Sequence, residues 1–215
     1  MAALGQSIIR NAIGLALFAV ITAGTIALTH AFTQERIQDQ VRQAEAGALL
    51  EILPEDLHDN DLLQDTVNVG PSDKLGLDVE AQAHIARQHG TISGVILPAV
   101  APNGYSGEIR MLVGIADSGE VLGVRVTQHR ETPGLGDKVE TKKSNWIYSF
   151  NGKSLENVPS DQWAVVKDGG QFDQFTGATI TPRAVVSAVH GTLQYFEENR
   201  PKLTRTEPAR DGDEN

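Results

Sequence analysis

Cysteine is absent from the 215 residues. The chain therefore has no disulfide, no iron–sulfur or zinc–thiolate ligand and no thiolate nucleophile. That absence is compatible with either side of a membrane. Aromatic residues are scarce, 5% against 40% hydrophobic overall, so the core must be mostly aliphatic. Basic charge is also short: 18 Lys and Arg stand against 28 Asp and Glu, a net charge of −10. This balance argues against a nucleic-acid partner, because phosphate contacts need clustered Lys and Arg. The sequence also lacks facing carboxylates, a Ser/His/Asp order and a His cluster, so hydrolysis and metal chemistry find no support and no metal ligands are assigned.

Charge is missing altogether from 11-NAIGLALFAVITAGTIALTHAF-32. That run is long enough to cross a bilayer core as a helix. The apolar part of a secretory signal is usually shorter, so the run reads as a retained transmembrane helix over 11–32. Cleavage after Ala31 and a buried helix of a soluble protein are the alternatives. Gly14, Ala16, Ala19, Ala23, Gly24 and Ala27 permit close packing against other membrane helices. Arg10 precedes the run while Arg36 and Arg42 follow it, so charge alone leaves the orientation near a tie.

From Gln34 to about Leu53 the pattern is helical, with Ile37, Val41, Ala44, Ala48 and Leu49 on one side, and Pro54 ends it. Residues 55–79 are acidic and irregular, and 80–90 suggest a short turn or helix. Residues 33–90 thus read as a stalk helix and connecting segment. A strand near Ile92, Val95 and Ile96 is closed by Pro98 and Pro102. Gly107–Ala116 alternates, with Ile109, Met111, Val113 and Ile115 pointing one way. Asp117-Ser118-Gly119 turns the chain into Val121–Gln128, where Leu122, Val124 and Val126 share a face. An antiparallel sheet with one covered face follows. Residues 137–150 suggest a short helix burying Val139, Trp146 and Ile147, and Trp163–Val166 a strand. A last helix has Thr181 as N-cap and Pro182 as its first residue, and ends near Glu198. The tail, 200–215, is charged and expected to be disordered. The fold class is α+β: one N-terminal transmembrane helix, then a soluble domain over 91–199 with an antiparallel sheet and flanking helices.

Two stretches point to chemistry. In the first, Asp173-x-x-Thr176-Gly177-Ala178-Thr179 leads into a helix start, whose unpaired N–H groups and dipole suit a phosphate. From local pattern alone the favoured reading is an ordinary turn, with Thr179 and Thr181 capping a core helix. The second is the loop Glu131-Thr132-Pro133-Gly134-Leu135-Gly136, which lacks the spacing of a phosphate loop or a dinucleotide fingerprint. Nearby, His129 and Trp146 read as structural residues, and Arg130 and Lys138 as a solvated face.

Together the two stretches resemble, in order, the flavinylation motif and the flavin-bordering loop of the FMN-binding domain family. The resemblance spans roughly residues 92–195. It implies that Thr179 carries covalent FMN through its phosphate, placed there by a dedicated flavin transferase from FAD. It further implies that Asp173, Thr176, Gly177 and Ala178 form the recognition turn, that Thr181 and nearby backbone N–H groups hold the phosphate, and that residues 131–136 line the ring. With its anchor, the chain is most similar to the flavinylated subunit of Rnf-type complexes, which couple ferredoxin–NAD electron transfer to ion translocation. Implied partners are the other membrane and peripheral subunits, the transferase and membrane lipid. The implied location is the bacterial inner membrane, with residues 1–10 cytoplasmic and the soluble domain periplasmic. The alternatives are a sodium-translocating NADH:quinone reductase subunit, a cofactor-free assembly module and a stand-alone flavin reductase.

Overall fold

The computed structural model describes residues 2–204, and side chains outside 1–9, 31 and 35–46. The chain divides into two units, Met1–Ala44 and Glu45–Asn215. Helix α1 runs from Ala2 to Ile52, so the apolar run and the expected stalk form one helix. Within it, Arg10–Gln34 is long and apolar enough to cross a membrane. Its large side chains, among them Ile13, Leu15, Leu17 and Phe18, are exposed. Thr22, Thr25, Thr29 and Thr33 donate to backbone carbonyls one turn back at 2.7–2.8 Å, so their hydroxyls need no water. The expected buried positions Ile37, Val41 and Ala44 lie outside the residues whose side chains are described.

The second unit is built on a five-stranded antiparallel meander in the order β1-β2-β3-β4-β5. Its strands are β1 (Thr66–Val69), β2 (Ala81–Gln88), β3 (Thr91–Gly104), β4 (Gly107–Ala116) and β5 (Val121–Gln128). The sheet thus begins well before residue 91. Strand β2 falls where a turn or helix was expected: Ala, Gln and Arg are helix formers, but Ala83, His84, Ile85 and Ala86 are all buried, and packing overrides propensity.

Strand β3 does not stop at Pro98 or Pro102. The β2–β3 register ends at His84↔Ile96, and Val100, two residues past Pro98, points its N–H away from β4 to Leu75 O. Pro98 shares that parity, so its missing N–H falls where no ladder bond is due.

The sheet is covered on both faces, not one. Ile109, Met111, Val113 and Ile115 of β4 are buried with Val185, Val186, Val189 and Leu193 of α2 (Ile180–Leu203). A separate cluster on Ile96 and Leu112 is closed by Leu49, Ile52, Leu53 and Leu62. Leu122 joins this second cluster, whereas Val124 and Val126 belong to the first. The cause is a bulge: Gly114 pairs with Gly123 but Ile115 pairs with Val121, so Leu122 is an extra residue and turns over.

In place of the expected helix over 137–150 there are two 3-10 turns, Gly136–Val139 and Trp146–Phe150. The expected strand Trp163–Val166 is a single bridge, Val165↔Phe172, between further 3-10 turns. Residues with too few neighbours in register for a ladder still bury Val139, Ile147, Phe150 and Val165. Helix α2 continues to Leu203, beyond Glu198, because Leu203 is buried on the core. The rest of the expected tail, 205–215, lies outside the described residues.

Candidate functional site

Strand β5 delivers the chain to His129 and the loop 131–136. His129 Nδ1 accepts the Glu131 N–H at 3.0 Å, which leaves the ring proton on Nε2, facing Glu140 Oε1 at 2.9 Å. The ring is therefore a bracket at the base of the loop, the structural role expected for it. Leu135 and Gly136 both donate their N–H to Thr132 O, closing the loop on itself.

Glu131 turns inward and is 5% exposed. Its Oε1 accepts the Ser106 N–H at 2.9 Å, and its Oε2 accepts the Thr181 hydroxyl. One side chain thus joins the β3–β4 hairpin, the loop and the first turn of α2. A Cβ on Gly136 would lie 2.8 Å from both Glu131 Oε2 and Thr181 Oγ1, so only glycine lets the loop approach this bond.

The second motif forms a four-residue turn. Ala178 donates to Phe175 O at 3.1 Å, and Gly177 has φ +82°, the left-handed third position that a type II turn requires. The turn is braced from behind. Trp146 Nε1 donates to Asp173 O at 2.7 Å, and its ring meets Phe175 edge-on, with centroids 5.0 Å apart.

Thr179, not Thr181, occupies the cap position of α2, and its side chain makes no capping hydrogen bond. The hydroxyl is half-buried and uncommitted at a helix start, where the first N–H groups lack partners. Thr181 is the second residue of the helix, fully buried, with its hydroxyl given to Glu131. It cannot offer that hydroxyl to a phosphate, so any phosphate contact here falls to the backbone.

The two motifs meet in an open cleft of about 280 Å³ lined by Glu131, Thr132, Leu135, Gly136 and residues 177–181, with Tyr105 opposite. Leu135 reaches the motif turn itself: its Cδ2 would be 3.5 Å from a Cβ on Gly177. The rim is apolar, with Tyr105 67%, Leu135 41% and Ile180 43% exposed. Pro133, Gly134, Asp173 and Thr176 are not part of the lining. Asp173 and Thr176 are exposed.

Sequence reading missed Tyr105 and Ile180. A signal for Tyr105 was present, an aromatic held between Gly104 and Gly107 at a hairpin tip, where no core can claim it. The cleft suits a flat, largely apolar ring joined to a phosphate: a free hydroxyl with small neighbours stands at a helix start, and three exposed apolar side chains stand around it.

The FMN-binding domain family matches residues 104–194, which takes in the hairpin, the loop and the turn, and the RnfG N-terminal region matches residues 1–52. Proteins named as the G subunit of an ion-translocating oxidoreductase complex are similar over almost the whole chain. That of Pseudomonas aeruginosa (strain UCBPP-PA14) is 51% identical over 97% of each chain. That of Shewanella loihica is 47% identical over 92% of this chain and 93% of its own. That of Vibrio cholerae serotype O1 is 46% identical over 90% and 92%. Among solved structures, the crystal structure of Shewanella oneidensis NqrC aligns with a TM-score of 0.48 at 24% identity, over 69% of this chain and 72% of that one.

Proposed function

The chain belongs to the G-subunit family of ion-translocating oxidoreductase complexes, and from that premise we propose that it is a flavoprotein relaying electrons through FMN esterified to Thr179. The observation that carries the attachment site is the Thr179 hydroxyl, uncapped at the start of α2 and opening into the cleft where both motifs meet. In the transfer, the Thr179 Oγ1–phosphorus bond forms and the phosphoanhydride of FAD breaks. FMN stays on the chain, AMP leaves, and the hydroxyl proton passes to the transferase or solvent. Asp173 and Thr176, both exposed, are what the transferase reads. Gly177 and Ala178 give it access, and the backbone N–H groups at the start of α2 face the phosphate.

The flavin supplies the redox chemistry. The chain supplies position: Tyr105, Leu135 and Ile180 hold the ring, and Glu131, Thr132 and Gly136 of the loop form the wall beside it. A permanent tether keeps the relay filled where reversible binding would leave a fraction empty. The apolar run of α1 is the anchor in the bacterial inner membrane, among lipid and the other subunits, with residues 45–204 on the periplasmic side. The complex couples ferredoxin–NAD electron transfer to ion movement.

Coexpression with a flavin transferase tests the attachment. Intact mass should rise by one FMN less water, on the peptide bearing Thr179. Thr179→Val should remain folded and carry nothing, and Thr179→Ser should retain loading because it keeps the hydroxyl. Fluorescence of denatured Thr179→Val in a gel would overturn the assignment.

A further inference from the structure

The Glu131 carboxylate does more than join three elements. Both of its oxygens act as acceptors, as those of an ionised carboxylate do, and among the described residues it is in no ion pair. Its two partners, an amide N–H and a hydroxyl, are neutral dipoles. They stabilise the charge without cancelling it. The group is nearly out of water and yet lines the same cleft as Thr179. A charge in such a place is screened far less than one on the surface.

We infer that Glu131 is a built-in negative charge that holds the midpoint potential of the cleft's flavin low. This rests on the reading that the flavin occupies the cleft. Reduction adds electron density to the ring, and a fixed carboxylate beside it opposes that addition. The hydrogen bonds from Ser106 and Thr181 keep the carboxylate from swinging away, and the requirement for glycine at 136 keeps the loop closed over it. Glu131 is thus a positioning and tuning residue; it forms no bond to the flavin.

The test is a redox titration of flavin-loaded full-length protein, each sample first weighed to confirm the tether. Glu131→Gln keeps the shape, and its amide can still accept from Ser106 and donate to the Thr181 oxygen. Its midpoint should move upward, with the equilibrium constant for reduction greater by on the order of tenfold, about 30 mV for a two-electron couple. Glu156→Gln removes an exposed carboxylate that lines no part of the cleft, and should leave the midpoint in place. Thr132→Lys sets a cation on the cleft wall without touching the hydrogen bonds of Glu131, and should also raise the midpoint. Equal midpoints in wild type and Glu131→Gln overturn the inference. If Glu131→Gln does not load, an unmoved midpoint in Thr132→Lys overturns it instead. A wild-type chain that takes up no covalent flavin sinks the proposed function itself, an outcome the mass measurement separates from the other two.

Discussion

At the scale of single residues, the cleft turns on two neighbouring hydroxyls: that of Thr181 is given to Glu131, while that of Thr179 makes no capping bond. Thr181 was read as the cap because a hydroxyl before proline is a strong local signal. A shift of two residues gives the cap position to Thr179 and turns Thr181 inward to Glu131. Burial of Glu131 was not legible, since a charged residue before Thr-Pro-Gly reads as exposed loop, and its partners lie 25 and 50 positions away. A second residue-scale effect belongs to His190 on α2. Its ring lies parallel to that of Trp163, centroids 5.3 Å apart, and partial burial lowers its pKa below 6.5. The folded chain then resists a proton that the unfolded chain accepts, so the unfolded state binds more protons below about pH 6.5 and stability rises with pH through that window. Urea midpoints at pH 5.5 and 7.5 should differ in wild type and differ less in His190→Gln.

At the scale of elements, the hairpin β4–β5 was legible because its alternation is nearly complete, and α1 because a chargeless run followed by a helical period leaves few alternatives. The bulge at Leu122 was not, because one extra residue in a ladder changes no local propensity. The covering of the second face was equally hidden. It depends on Ile52 meeting Gly114, where an added Cβ would come within 2.1 Å of Ile52 Cγ2. Gly114→Ala should therefore cost about 1–3 kcal/mol by overpacking. Ile52→Ala alone should cost about 2–5 kcal/mol by leaving a cavity. The double variant should be less unstable than the sum, because the shortened side chain makes room for the new methyl. Chemical denaturation of the four proteins gives the coupling directly, and simple additivity would contradict the contact.

For the molecule as a whole, the second unit includes the end of α1, since Glu51 accepts from Arg125 at 2.8 Å and Leu49, Ile52 and Leu53 are buried in the same unit. A chain beginning at Glu45 should fold and accept flavin. One beginning at Pro54 loses three buried aliphatic side chains, each worth roughly 1.5–3 kcal/mol, and leaves Arg125 without its carboxylate. That is most of the stability of an ordinary domain, so it should be largely unfolded by circular dichroism. The sequence placed the start of the domain at residue 91, because nothing local in 45–90 announces a membership that only the finished sheet confers.

The cleft is assembled from a hairpin tip, a loop and a helix start that only the completed meander brings side by side. Pigment added there would act as a certificate of maturity. In a culture making both finished and unfinished chains, the yellow ones would be those that had already closed, and colour would sort them without any antibody or assay of electron flow.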